Sequence, residues 1–283
     1  MKHIRIIPRL DIKGPNLVKG VHLEGLRVLG KPENFAEYYY ENGADELIYQ
    51  DTVASLYQRN NLTEIISKTA KNIFIPLTVG GGIRTLEDIN KALRAGADKI
   101  SINTAAIENP NFINEASHAF GSSTIVVAIE TTKESGSYLA YTDNGREYTG
   151  KDVFLWAKEV EDRGAGEILL TSIDRDGTGK GFDIDLIKKV SDSIKIPLIS
   201  HGGASTTSQI VESIEVGKSD AVAVSSMLHY SAIKKNKMIN NEFADEGNIE
   251  FLKKNNSFKM FGNYDLKSIR KKLKKSHIHL RNI

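Results

Sequence analysis

The sequence predicts a (β/α)8 barrel of the α/β class. Eight short apolar runs alternate with amphipathic segments, the second half of the chain repeats the first, and 283 residues suit one large core. The runs are Ile4-Leu10, Glu46-Gln50, Ile75-Val79, Lys99-Asn103, Thr124-Ile129, Glu167-Leu170, Ile196-Ser200 and Ala221-Ser225. Short apolar strands separated by helical segments indicate a parallel sheet buried on both faces. Between them, Thr85 and Asp88 resemble a capping box ahead of an apolar stripe of Ile89, Ala92 and Leu93. Lys151-Glu161 carries Val153, Trp156, Ala157 and Val160 at helical spacing, so Trp156 is expected to pack a helix on the barrel. Ile269-Leu273 reads as a final helix whose Lys271, Lys272, Lys274 and Lys275 form a solvated basic face.

The repeat is visible in the residues themselves. Gly43-Ala44-Asp45-Glu46-Leu47-Ile48 matches Gly164-Ala165-Gly166-Glu167-Ile168-Leu169 at an offset of 121, as Ile75-Pro76-Leu77 with Gly81-Gly82 matches Ile196-Pro197-Leu198 with Gly202-Gly203. Ile6-Asp11 aligns with Ile125-Glu130 at an offset of 119, and Lys99-Asn103 with Ala221-Ser225 at an offset of 122. A period this long is a half-barrel duplication, with halves at about 1–120 and 121–283 of a single barrel.

Composition narrows the function classes. With 38 basic and 36 acidic residues and a formal charge of +2, no global field points to nucleic acid or a membrane surface. The absence of cysteine excludes disulfides and thiolate metal sites and fits a reducing cytosol. No apolar run approaches the roughly 18 residues of a membrane span. The expectation is a cytoplasmic protein with no metal, cofactor, nucleic acid or membrane partner.

Chemistry in such a barrel gathers at the C-terminal ends of the strands. Asp11 and Glu130 stand there on strands related by the internal two-fold, facing each other across the mouth, as general acid/base work requires. The plainer alternative is that each caps a loop or pairs with a nearby cation. Gly80-Gly81-Gly82-Ile83-Arg84 and His201-Gly202-Gly203-Ala204 let backbone N–H groups approach an anion. Asn103 and Thr104 would complete the first cradle, and Ser225 and Ser226 the second. Two equivalent cradles on opposite sides predict a ligand with a phosphate at each end. At the other end, Arg5, Glu46, Lys99 and Glu167 each begin a strand. They either close into a ring across the bore or form ion pairs on a solvated rim.

Ile7-Pro8 with Leu10-Asp11, Val18-Lys19-Gly20, Pro76-Leu77-Thr78-Val79-Gly80-Gly81-Gly82-Ile83-Arg84, Gly96-Ala97-Asp98-Lys99-Ile100-Ser101-Ile102-Asn103 and Asp174-Arg175-Asp176-Gly177-Thr178 resemble the cyclase subunit of imidazole glycerol phosphate synthase over about residues 1 to 230. The resemblance implies a barrel that docks on a class I glutaminase at its bottom face. Ammonia would pass up the bore and react with a bis-phosphorylated small molecule, giving imidazole glycerol phosphate and an aminoimidazole carboxamide ribotide. It further implies that Arg5, Glu46, Lys99 and Glu167 form the ammonia gate and that Asp98 is a docking position. Asp11 would be the first acid/base residue, Lys19 would lie on a flexible loop closing over substrate, and Asp176 and Gly177 would join the phosphate site.

This sequence departs from the family at the substrate end. Glu130 stands where the family has aspartate, Arg9 where it has cysteine, and His201 where it has serine. A guanidinium at position 9 is expected to hold Asp11 ionised and favour a base over an acid. Residues of about 234 to 263 form an insertion after the eighth strand, with Ile249, Phe251, Leu252, Phe258, Met260 and Phe261, expected to be a surface loop, a lid or a docking element. Together these features look like a paralogous branch linked to surface polysaccharide, in which the barrel passes ammonia to an ATP-dependent sugar amidotransferase. The alternatives are an ordinary histidine-pathway cyclase and a non-catalytic conduit that only activates the glutaminase.

Overall fold

The computed structural model describes residues 3–54, 62–236 and 261–282. Eight parallel strands close on themselves: β1 (Arg5–Lys13), β4 (Leu47–Asp51), β5 (Leu77–Gly80), β6 (Lys99–Ile102), β7 (Ile125–Glu134), β10 (Glu167–Ser172), β11 (Leu198–His201) and β12 (Ala221–Val224). Closure runs through the β7–β10 ladder, which joins the halves, and through β12 on β1, where Arg5 pairs with Ala221. Helices lie between successive strands: α1 (Pro32–Glu41), α2 (Thr63–Ala70), α3 (Leu86–Ala95), α4 (Thr104–Glu108), α5 (Asn111–Phe120), α6 (Val153–Asp162), α7 (Ile184–Ser193) and α8 (Thr207–Glu215), and the last strand is followed by α9 (Ser226–Asn236) and α10 (Leu266–Lys275). This is the (β/α)8 barrel that the alternating pattern predicted. Among the described residues no helix is long and apolar enough to cross a membrane.

The third and seventh strands start two residues later than predicted, at Leu77 and Leu198. In each case the residue before is a proline, which has no N–H to donate. The carbonyls of Pro76 and Pro197 instead accept from the N–H groups of Leu47 and Ile168.

Alternation along the strands divides the apolar residues into two sets. Ile7, Ile48, Val126, Ala128, Leu169, Ile199, Ala221 and Ala223 fill the bore. A larger cluster, including Ile6, Leu10, Tyr49, Ile168 and Trp156, lies between barrel and helices. Trp156 is buried there as expected. The capping box of Thr85 and Asp88 is present at the start of α3, and Thr206 and Gln209 make its counterpart at α8.

One repeated element was not predicted. After β1 the chain turns back as β2 (Asn16–Val21) and β3 (Glu24–Gly30), and after β7 as β8 (Ser137–Thr142) and β9 (Glu147–Asp152), giving each half an antiparallel arm above the mouth. Residues 237–260, the bulk of the expected insertion and the site of Ile249, Phe251, Leu252, Phe258 and Met260, lie outside the described residues. At its far edge Phe261 is buried against Tyr230 of α9, ring centroids 5.5 Å apart. From there α10 returns along the barrel, where Arg270 pairs with buried Asp45 at 2.7 Å and Leu280 bridges to Ile4.

Candidate active site at the barrel mouth

Asp11 and Glu130 both end inward-facing positions of long strands and are buried at the mouth. Their surroundings differ sharply. Arg9 Nε donates to Asp11 Oδ1 at 2.9 Å, and Lys19 Nζ donates to Asp11 Oδ2 at 2.9 Å. Burial alone would raise the Asp11 pKa, but Lys19 and Arg9 hold it far below the usual carboxylate range. Among the described residues Glu130 Oε2 accepts from the neutral Asn103 amide at 3.2 Å, and a backbone N–H from Gly145 also reaches its carboxylate. Burial, with smaller repulsion from Asp11 and Asp176 opposed by Arg9, pushes its pKa up to about 7.

Lys19 is not on a loose loop. It lies on β2, is 1% exposed, and reaches Asp176 Oδ1 and Oδ2 at 3.0 and 2.9 Å as well as Asp11. That corrects two expectations together. A lysine saturated by two carboxylates needs no loop motion to be placed, and Asp176 is committed to that lysine. Its carboxylate would repel a phosphate, so only the backbone around Asp176 and Gly177 suits an anion.

Arg9 spans the mouth from β1. Its Nη1 donates to Thr171 Oγ1 of β10 at 3.0 Å and approaches His201 Nδ1 of β11 at 3.2 Å. A guanidinium nitrogen can only donate, so His201 Nδ1 accepts and its proton is on Nε2, which donates to Ser225 Oγ at 3.2 Å. Burial, then repulsion from Arg9 and Lys19, pushes the His201 pKa well down, in keeping with a neutral ring. The same logic applies to His229. Its Nε2–H donates to the Arg9 carbonyl at 3.0 Å, and its Nδ1 accepts from Tyr39 at 2.7 Å. Ser225 Oγ also donates to that carbonyl, at 2.9 Å. Thr171, His229 and Tyr39 were not singled out from the sequence. Each carries its role through a partner at least 160 residues away, beyond the reach of any local motif.

The two expected cradles are two pockets on opposite sides of this core. Gly81, Gly82, Asn103, Thr104 and Glu130 line one, with Gln50, Ser101 and Asn144. Asp176, Gly177, His201, Gly202, Gly203, Ser225 and Ser226 line the other. Gly81 and Gly202 hold equivalent left-handed conformations, φ +99 and +103. A Cβ would lie 2.4 Å from the Asp51 carbonyl at the first and 2.6 Å from the Ser172 carbonyl at the second. Both turns therefore require glycine for backbone clearance.

At the opposite end Arg5, Glu46, Lys99 and Glu167 form a closed ring. Arg5 Nη1 lies 2.8 Å from Glu46 and 3.0 Å from Glu167, and Lys99 Nζ lies 3.2 and 3.1 Å from the same two residues. Asp98 lies beside this ring, exposed, in a shallow groove with Phe74, which is 79% exposed. One of its oxygens accepts from the Leu77 N–H at 2.8 Å, as Asp220 does for Leu198 in the other half, so it also fixes the start of β5.

Residues 5–234 match the family described as Histidine biosynthesis protein. The chain is 59% identical over 204 residues to the imidazole glycerol phosphate synthase subunit HisF of Legionella pneumophila, covering 72% of this chain and 96% of that protein. It is 47% identical over 247 residues to the subunit of the same name from Methanococcus vannielii, covering 80% and 91%. It is 46% identical over 246 residues to that of Methanocaldococcus jannaschii, covering 80% and 90%.

Proposed function

The chain belongs to the histidine biosynthesis protein family, and from that premise we propose that it is the cyclase-type subunit of an imidazole glycerol phosphate synthase. In this reading it takes ammonia from a class I glutaminase docked on the ring face and uses it on a bis-phosphorylated small molecule at the mouth. The observation that carries it is the pair of equivalent cradles flanking two buried carboxylates, with the charged ring at the far end of the same bore. A phosphate in each cradle would stretch the substrate across Asp11 and Glu130. Ammonia entering past Arg5, Glu46, Lys99 and Glu167 would meet an apolar lining from Ile7 to Ala223, which suits the neutral molecule over ammonium. Glu130, pushed up to about 7, is suited to exchange a proton near neutrality. The names of the three relatives favour this reading over the surface-polysaccharide paralogue as the leading one.

The paralogue stays as a second reading because Arg9, Glu130 and His201 cluster at the substrate end while the ring keeps every member of the family's gate. There the barrel would deliver ammonia to an ATP-dependent sugar amidotransferase. Complementation of a histidine-requiring strain lacking this cyclase tests both. Robust growth, lost with Glu130→Gln, supports the cyclase and sinks the paralogue. Failure to grow, with a sugar amidotransferase recovered alongside the glutaminase in a pull-down, reverses that order.

A further inference from the structure

The internal two-fold makes Asp11 and Glu130 equivalent, yet the charges around them are not. Both oxygens of Asp11 accept from cations, Arg9 and Lys19, each at 2.9 Å. The offset of 119 that carries Asp11 to Glu130 carries Arg9 to Ala128. Asp11 pairs with Val18 and Glu130 with Tyr141, so Lys19, the next residue of its arm, corresponds to Thr142. Glu130 therefore has two neutral residues where Asp11 has two cations. The anchors of Arg9 are equally one-sided: Thr171 and His201 correspond to Gln50 and Gly80 at the offset of 121. Gln50 Oε1 is buried with no hydrogen-bond partner among the described residues, just where Ala128 supplies no guanidinium to meet it.

We infer that Arg9 is a positioning residue: strapped across the mouth to Thr171 and His201, it holds Asp11 as a permanent carboxylate and leaves Glu130 as the mouth carboxylate that exchanges a proton in the reaction. A carboxylate whose two oxygens each accept from a cation loses both ion pairs if it takes up a proton. Glu130, held by an amide and a backbone N–H, loses neither. The groups facing Glu130 are Arg9 and Asp11 from β1 and Asp176 from the turn after β10, with Lys19 and neutral His201 behind them and Asp51 and Arg84 across the first cradle. Arg9 is the cation whose removal acts on both carboxylates. Ser225 and His229, the latter oriented by Tyr39, fix the Arg9 carbonyl, so the strap is held at both ends.

The catalytic half of this inference rests on the ammonia-using reading above, and the electrostatic half does not. The full chain, labelled with 13C at its side-chain carboxyls, is titrated by NMR, with Glu130→Gln and Asp11→Asn identifying the two signals. In the unaltered protein the Glu130 signal is expected to titrate near neutrality while that of Asp11 stays fixed. Arg9→Met removes the charge at similar length and should raise the Glu130 midpoint by about one pH unit or more, a tenfold gain in proton affinity. Arg9→Lys should return most of it. Asp11 titrating near neutrality in the unaltered protein, or an unmoved Glu130 midpoint in folded Arg9→Met, overturns the assignment. A purely structural role for Arg9 would lower stability without moving the midpoint. Should Arg9→Met not fold, the unaltered protein still decides which carboxyl takes the proton. Turnover by the glutaminase complex on ammonium chloride is read separately. If turnover is present, its pH limb must move with the Glu130 midpoint; a complete lack of turnover condemns the cyclase reading and leaves the carboxyl titration standing.

Discussion

Glu130 binds its proton more tightly in the folded chain than a carboxyl does in water, because burial penalises its charge. The stability it contributes is then fully present below the ordinary carboxylate range and is lost as pH rises through about 7. The gap between about 4.5 and about 7 corresponds to on the order of 3 kcal/mol. Glu130→Gln stays neutral throughout, so urea midpoints at about pH 4 and about pH 9 should differ less in the variant than in the parent by roughly that energy. An equal slope in both would show that Glu130 ionises freely. Asp11, its counterpart at the mouth, leans the opposite way. Asp11, with a pKa held low, contributes stability above the usual carboxylate range that is lost only in acid.

At the scale of elements, the repeat extends to details of helix initiation. Thr206 accepts from the Gln209 N–H at 3.3 Å while Gln209 Oε1 accepts from the Thr206 N–H at 3.0 Å. Thr206→Ala leaves the Gln209 N–H at the start of α8 without its acceptor and should cost about 1 kcal/mol by denaturant unfolding. Thr85→Ala at α3 should cost less, because the cap there is exposed to water that can replace it. The contact between α10 and the barrel is of another kind. Arg270 and Asp45 are 8% and 3% exposed, so Arg270→Met leaves a buried carboxylate without its cation. The expected loss is about 3 kcal/mol, read as a lower melting temperature. Arg281, half exposed and 3.6 Å from the other oxygen of Asp45, is too solvated to replace it.

For the whole molecule, the functional question is whether the ring at one end is coupled to the mouth at the other. Glu167 receives both Arg5 and Lys99, so Glu167→Gln removes the charge shared by two of the ring's ion pairs. In the complex with a glutaminase, product formed from glutamine should fall at least about tenfold relative to product formed from ammonium chloride, which enters from the mouth. Equal losses from both nitrogen sources would mean that the ring is structural.

The sequence by itself determined the barrel, the positions of the two glycine turns and the four charged residues that begin their strands, and it left open whether those charges close into a ring. The barrel and the cradles depend on residues that recur at a fixed offset and on turns where a Cβ cannot fit, whereas Arg5 and Lys99 have the neutral Thr124 and Ala221 at the matching positions. The arms β2–β3 and β8–β9 were not legible, because short, partly polar strands lying above a mouth lack the continuous apolar run of a barrel strand. Lys19 was singled out in the sequence, but its burial was not legible, since its two carboxylate partners lie 8 and 157 residues away. Only the tertiary structure decided how the mouth charges are shared. Arg9 faces Asp11 two residues away but is anchored by Thr171 and His201, 162 and 192 residues on. Closing the barrel brought those anchors to one side and left Glu130 hydrogen-bonded only to neutral groups among the described residues, so two carboxylates that match in sequence differ in proton affinity.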